Sequence, residues 1–210
     1  MAVIKVLCVD DHRVVREGLA AMINRQPDMK LVAEASDGAT AVRLYEECSP
    51  DVTLMDLQLP VMSGLESIRA IRRADPLARI VVLTMYQGDE DILRSLEEGA
   101  ATYLIKDELA DELVTVVREV FAGKKPIPPR VAQVLASRPD EPRLSQRETE
   151  VLELVARGFR NREIADTLRI SEETAKVHMK NLMAKLRAKD RTEAVHIALR
   201  RGILHMGQGS

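Results

Sequence analysis

Three carboxylates, a hydroxyl and an amine recur at matched places in the first half of the chain. Asp10 and Asp11 follow the apolar run IKVLCV, Asp56 follows VTLM, Thr84 follows RIVVL, and Lys106 follows TYLI. Adjacent anions raise each other's cost of ionisation, so a core-bound segment that ends on two aspartates calls for a positive partner. Oxygen donors of this kind suit a hard divalent ion that keeps several waters, Mg²⁺ or Mn²⁺. The chemistry such a set supports is phosphoryl transfer. One carboxylate acts as nucleophile, the metal and Lys106 neutralise charge on the transferred group, and Thr84 donates a hydrogen bond to a phosphoryl oxygen. Taken singly, an aspartate after a strand is a turn or cap residue and a lysine is a solvated loop residue. Five such groups at matched strand ends make coincidence a poor explanation.

The elements that must position these groups are legible in the hydropathy rhythm. Short β-like runs at 3–9, 30–35, 52–55, 80–84 and 102–105 are each followed by an amphipathic helical pattern, at about 13–26, 38–48, 64–74, 89–98 and 109–122. Gly18 interrupts the first helical pattern at a small cost. Five βα units in succession predict an α/β domain with a doubly wound, five-stranded parallel sheet and helices on both faces. In such sheets ligands bind outside the carboxyl ends of the strands, where the order of strands reverses. The groups named above all sit at such ends.

Punctuation changes after residue 123. The stretch KKPIPPRVAQVLASRPDEPR, residues 124–143, carries five of the nine prolines and reads as a linker with one short helix near 130–136. Residues 144–206 are helical throughout in pattern. Ser145 with Glu148 forms a capping box, Gly158 supplies a stop, and Asn161 can cap REIADTLRI. Ser171 can cap a helix that runs to about 187, and Asp190 with Glu193 offers a second capping box before a last helix ending near Gly202. Four short helices predict a second, smaller all-α domain. The closing HMGQGS reads as a frayed end.

Composition bounds the function class. The chain has 210 residues, 46% apolar and 30% charged, with no Trp, so its cores are built from aliphatic residues and Met. Residues 1–123 hold 13 Lys/Arg against 22 Asp/Glu, and residues 124–210 hold 18 against 11. An acidic half joined to a basic half implies different partners, the second a polyanion. Cys8 and Cys48 read as small hydrophobes rather than a disulfide or metal pair. No run approaches bilayer length and no targeting segment is evident, which implies a cytoplasmic protein without a membrane partner.

The set Asp10–Asp11, Asp56, Thr84 and Lys106, with Pro60 and Gly64 after Asp56, resembles the receiver domain of bacterial two-component response regulators, over about residues 1–123. The resemblance implies a flavodoxin-like fold with Asp56 as phosphoacceptor. It implies that Asp10, Asp11, Asp56 and the Gln58 carbonyl hold Mg²⁺, that Thr84 and Lys106 contact the phosphoryl group, and that Thr84 and Tyr103 act as switch residues. Met85 follows Thr84 where many receivers carry Ala or Ser, and its bulk is expected to crowd the pocket.

In SEETAKVHMKNLMAKLR, residues 171–187, Ala175, Met179, Leu182 and Leu186 recur at helical spacing and form a buried face. Lys176 and Lys180 lie one turn apart on another face, beside Val177. Two helices meeting through a tight turn give the layout of a helix-turn-helix, whose second helix enters the major groove. The segment LSQRETEVLELVARGFRNREIADTLRISEETAKVHMKNLMAKLRAKDRTEAV closely resembles the DNA-binding domain of NarL/LuxR-type regulators. That resemblance implies that Lys176, Val177 and Lys180 read bases or nearby phosphates, and that Thr174, His178, Asn161 and Arg162 hold the backbone. Ala175 stands where the family often has Val, which should loosen packing slightly. The chain is thus expected to be a transcription regulator and not an enzyme. Its implied partners are a sensor histidine kinase, double-stranded promoter DNA, a second copy on phosphorylation, and RNA polymerase. Phosphorylation would repack the surface around residues 86–107, favouring a dimer or releasing the DNA-binding domain. A phosphatase or transferase on the same sheet would want a second carboxylate two residues after Asp56, where Gln58 stands. A receiver fold that no longer accepts phosphate would have lost the acidic pair, the acceptor or the lysine.

Overall fold

The structure, a computed structural model, describes residues 3–85, 88–136 and 142–204. The expected end at 205–210 and residues 137–141 of the proline-rich stretch lie outside the described residues. So do residues 86 and 87 of the surface expected to repack. The chain divides into two compact units, Met1–Gln87 with Ile92–Ala136, and Ser137–Ser210 with Gly88–Asp91. Among the described residues no helix is long and apolar enough to cross a membrane.

In the first unit, β1 (Ile4–Val9), β2 (Met29–Ala35), β3 (Val52–Asp56), β4 (Ile80–Thr84) and β5 (Thr102–Ile105) form one sheet in the order β2-β1-β3-β4-β5. All pairings are parallel. The helices α1 (Arg13–Asn24), α2 (Gly38–Cys48), α3 (Gly64–Ala74), α4 (Asp89–Glu97) and α5 (Leu109–Phe121) follow the five strands in turn. Because successive strand residues face opposite ways, each strand feeds two apolar layers. Leu7, Val9, Met55, Ile80, Val82, Tyr103 and Ile105 enter one layer, with Ile68 and Ile71 of α3. Val6, Cys8, Leu54, Val81, Leu83 and Leu104 enter the other, with Leu19 and Ile23 of α1 and Leu113 and Val117 of α5. Burial pushes the Cys8 thiol up to about 12, with Asp10 adding to the rise. A thiol held there is protonated and inert, in keeping with a packing role.

The short helix expected near 130–136 is α6 (Pro129–Ala136). It is more than a spacer: Val131 is 2% exposed and joins the first apolar layer, and Thr102 Oγ1 donates to the Pro126 carbonyl at 2.5 Å.

The second unit holds α7 (Gln146–Ala156), α8 (Asn161–Leu168), α9 (Glu172–Leu186) and α10 (Arg191–Arg200). Ser145 and Glu148 form the expected capping box, and Gly158 follows α7 at φ +88. Ser171 accepts from the Thr174 amide at 3.0 Å and caps α9. Asp190 caps α10 by accepting from the Glu193 amide at 2.8 Å, whereas the Glu193 carboxylate accepts from the Lys189 amide rather than completing a box with Asp190. Asn161 does not cap α8. It is the first helical residue, Arg160 takes the cap position, and the Glu163 carboxylate accepts from the Arg160 amide at 2.6 Å. The carboxylate three residues in satisfies the orphan amide, so no capping side chain is needed. Val151, Leu152, Ile164, Leu182 and Ala198 centre the core of this unit. The half-buried Lys185 pairs with the buried Glu148 at 2.7 Å and ties α9 to α7. Burial alone would raise the Glu148 carboxyl, but Lys185 and the Ser145 cap bring it below the usual range.

Candidate functional site

The strand order reverses between β1 and β3, because β2 lies on one side of β1 and β3 on the other. That switch point is where an open α/β sheet leaves a crevice at its carboxyl edge. Asp10 leaves β1 and is fully buried; Asp56 ends β3 and is 2% exposed. Thr84 ends β4, also buried, and pairs in register with Ile105 of β5, the residue before Lys106. Parallel register therefore brings the five expected groups to one edge of the sheet.

Lys106 lies at the centre of the cluster. Its Nζ stands 2.5 Å from Asp10 Oδ2 and 2.7 Å from Asp56 Oδ2, with a side chain only 5% exposed. Part of the positive partner required by the aspartates is thus supplied by the chain itself. Burial raises the Asp56 carboxyl above the ordinary range, and the Lys106 ammonium only partly offsets this. Burial opposes the Lys106 charge too, but Asp56 and Asp10 raise its pKa above the usual lysine value. Backbone contacts fix the ring of groups. The Gln58 amide donates to Asp56 Oδ1 at 3.3 Å, and the His12 amide donates to Asp10 Oδ1 at 2.9 Å. Arg16 Nη1 donates to the Asp10 carbonyl at 2.7 Å. The amide of Gly64 donates to the Leu57 carbonyl at 3.0 Å, closing the loop after Asp56.

Carboxylate oxygens of Asp10, Asp11 and Asp56 and a ring nitrogen of His12 all lie within 4.8 Å of one another. Asp11 Oδ1 is buried, with His12 Nδ1 2.6 Å away. Three carboxylates gathered at one edge of the sheet are a donor set that fits a hard divalent ion with oxygen ligands. Met85 does not crowd this cluster: it is 59% exposed, so its bulk goes to solvent. Tyr103 is fully buried within the sheet layer. His12 was absent from the expected set. Its place directly after the aspartates was visible in DDH, but adjacency alone does not say where a ring turns.

On the second unit, Ala175, Met179, Leu182 and Leu186 form the buried face of α9. The opposite face presents Lys176, 50% exposed, Val177, 49% exposed, and the exposed Lys180. Arg162 is exposed, while Asn161 and His178 are half-buried. Thr174 Oγ1 lies 2.7 Å from Ser171 Oγ and so shares in the cap. Sequence reasoning also missed the partners of Lys176. Glu172 and Glu173, one turn before it, pair with its Nζ at 3.3 and 3.7 Å. The spacing of these pairs was a readable signal.

Residues 6–118 match the response regulator receiver domain family, and residues 142–198 match the LuxR family of bacterial regulatory proteins. The chain is 39% identical to the transcriptional regulatory protein LiaR of Bacillus subtilis, over 96% of its own length and 100% of that protein's. It is 35% identical to the nitrate/nitrite response regulator NarL of Escherichia coli, over 90% and 92% of the two chains. Among solved structures, the complex of the response regulator RcsB with DNA superposes with a TM-score of 0.69 at 27% identity, over 94% of this chain and 98% of that one. A parallel sheet with an acidic edge and a helical unit with a basic helix are thus the two halves of one known design. The chain belongs to the two-component response regulators, DNA-binding transcription regulators that join a receiver domain to a LuxR-type helix-turn-helix domain.

Proposed function

We propose that Asp56 is the phosphoacceptor and that its phosphorylation by a sensor histidine kinase controls sequence-specific DNA binding. The observation that carries this reading is the buried Lys106 shared between Asp56 and Asp10 at the switch point of the sheet. In the transfer, the P–N bond of a phosphohistidine breaks as an Asp56 carboxylate oxygen bonds to phosphorus. The imidazole leaves with the electron pair and takes up a proton. Asp10, Asp11, Asp56 and the Gln58 carbonyl would hold Mg²⁺ or Mn²⁺, which when bound neutralises charge on the phosphoryl oxygens. Lys106 supplies a second positive charge, and Thr84 donates a hydrogen bond to a phosphoryl oxygen. Drawing Thr84 toward the new charge repacks its surroundings, with Tyr103 as the second switch residue. The proposed divisions are a receiver at 1–123, a connecting segment at 124–143 that includes α6, and a DNA-binding domain at 144–206. The protein acts in the cytoplasm, pairs with a second copy when phosphorylated, and has RNA polymerase as a further partner.

Incubation with Mg²⁺ and a small phosphodonor, followed by intact mass, tests the acceptor. Wild type is expected to gain one acid-stable, base-labile phosphoryl group and Asp56→Asn none. Equal gain by the variant would sink the assignment.

The DNA face follows from α9. We propose that Lys176, Val177 and Lys180 meet base edges or nearby phosphates, and that Thr174, His178, Asn161 and Arg162 position the backbone. Support comes from the exposed basic face opposite a fully packed one. Lys176→Ala and Lys180→Ala are each expected to weaken binding and reduce the slope of log affinity against log salt by about 1. A salt titration of binding to a cognate duplex reads both, and unchanged slopes would remove these lysines from the contacts.

A further inference from the structure

We propose that Arg169 is a phosphate-binding residue of the DNA interface, set in the turn between α8 and α9 to grip the backbone at the edge of the groove that α9 enters. The inference rests on reading α9 as the recognition helix, and it adds to that surface a residue that helical periodicity cannot select. Residues 169–171 alone join the two helices. A recognition helix meets base edges with its N-terminal residues. The chain leading into those residues therefore passes the rim of the groove, where the phosphates lie.

Arg169 stands at that place in a backbone conformation that does not suit it. It caps the C-terminus of α8 at φ +53 and ψ +48, the left-handed region where a Cβ crowds the carbonyl oxygen and glycine is the usual occupant. The same unit uses glycine after two of its helices, Gly158 after α7 at φ +88 and Gly202 after α10 at φ +69. Arg187 shares the left-handed conformation at φ +51, but at the far end of α9. An arginine held where glycine would sit without strain points to a use for its side chain. The direction of that side chain is fixed by its neighbours. Leu168 and Ile170 pack against the core of the unit, which leaves Arg169 exposed between them. The Arg169 amide donates to the Asp166 carbonyl at 3.3 Å, and the Ile170 amide to the Ala165 carbonyl at 3.0 Å. Arg147 Nη2 donates to the Leu168 carbonyl at 2.6 Å. A turn held at three points presents the guanidinium with little backbone left to order on binding. Nearby acids do not engage it: Glu172 and Glu173 pair with Lys176, and the Glu163 carboxylate accepts from the Arg160 amide. Its forked donors match the oxygens of a phosphate.

Salt titrations of the full chain on a duplex selected from a random pool, with thermal unfolding alongside, test the assignment in wild type, Arg169→Gly and Arg169→Lys. Arg169→Gly is expected to weaken binding about tenfold and to reduce the slope of log affinity against log salt by about 1. Its helical unit should melt no lower than wild type, because glycine relieves the left-handed residue. Arg169→Lys keeps the charge and should keep the slope. Unchanged affinity and slope in Arg169→Gly overturns the role of Arg169. Melting below wild type overturns it too, since the arginine would then serve the C-terminal end of α8. Should Lys176→Ala and Lys180→Ala lower the slope while Arg169→Gly does not, Arg169 alone is overturned. Unchanged slopes in all three overturn the reading of α9 as well.

Discussion

Replacing Lys106 by Met is expected to destabilise the sheet-containing unit by about 3–5 kcal/mol when divalent ions are chelated. The substitution keeps most of the apolar stem and removes the charge. What remains is a pair of carboxylates, Asp10 and Asp56, both almost fully buried and both within ion-pair distance of the ammonium that has gone. An exposed ion pair contributes little because water replaces it. Here burial leaves water little access, and each carboxylate would face the other uncompensated. Two further measurements separate this cause from a general packing defect. Adding Asp56→Asn to Lys106→Met removes one of the orphaned charges and should recover part of the loss. Millimolar Mg²⁺ should stabilise Lys106→Met more than wild type, since the ion then supplies the missing positive charge. Urea unfolding reads all three. A Lys106→Met protein as stable as wild type in chelator would show that the aspartates do not depend on this lysine.

The second large effect concerns a glycine with no chemistry of its own. A Cβ on Gly64 would stand 2.0 Å from the Asp56 carbonyl oxygen and 2.7 Å from the Leu57 Cα. These are backbone atoms that cannot swing aside as a side chain would. Gly64→Ala is therefore expected to cost at least about 1–3 kcal/mol, the range for forcing extra volume into packed structure. The displaced segment is the one that carries Asp56, so phosphoryl gain from a small donor should slow as well. Gly18→Ala is the control. Gly18 lies inside α1 with nothing within 4 Å of an added Cβ, and the change should stabilise by roughly 0.5–1 kcal/mol through helix propensity. One substitution type thus takes opposite signs at two sites. Thermal unfolding of both variants, with intact mass of Gly64→Ala over time, checks the pair. A Gly64→Ala protein that unfolds and accepts phosphate like wild type would contradict the close approach.

The five strands, and the groups at their ends, were readable because both follow from periodicity. An apolar run of strand length must be buried, and the polar residue that stops it must lie at the sheet edge. Asp10, Asp56, Thr84 and Lys106 all meet there on that ground. The buried face of α9 was readable for the same reason, as one residue per turn. What periodicity does not carry is side-chain direction. It did not reveal that Met85 turns outward, that the ring of His12 closes on Asp11, or that one ammonium bridges Asp10 and Asp56. Nor did proline content reveal the packing of α6. Pro129 opens that helix, a position that needs no amide donor, and Val131 then enters the core. Asn161 was misplaced by one residue because a reaching Glu163 carboxylate can replace a capping side chain.

On the proposed function, the state of Asp56 sets the affinity of α9 for its DNA. A duplex selected by the protein from a random pool supplies the probe, and fluorescence anisotropy at fixed salt supplies the reading. Treatment with Mg²⁺ and a phosphodonor should tighten wild-type binding by about 5–150-fold, the usual range of coupling between two sites, and leave Asp56→Asn unchanged. Equal affinity of the phosphorylated and unphosphorylated wild-type chains, or a response of Asp56→Asn matching that of wild type, would contradict it.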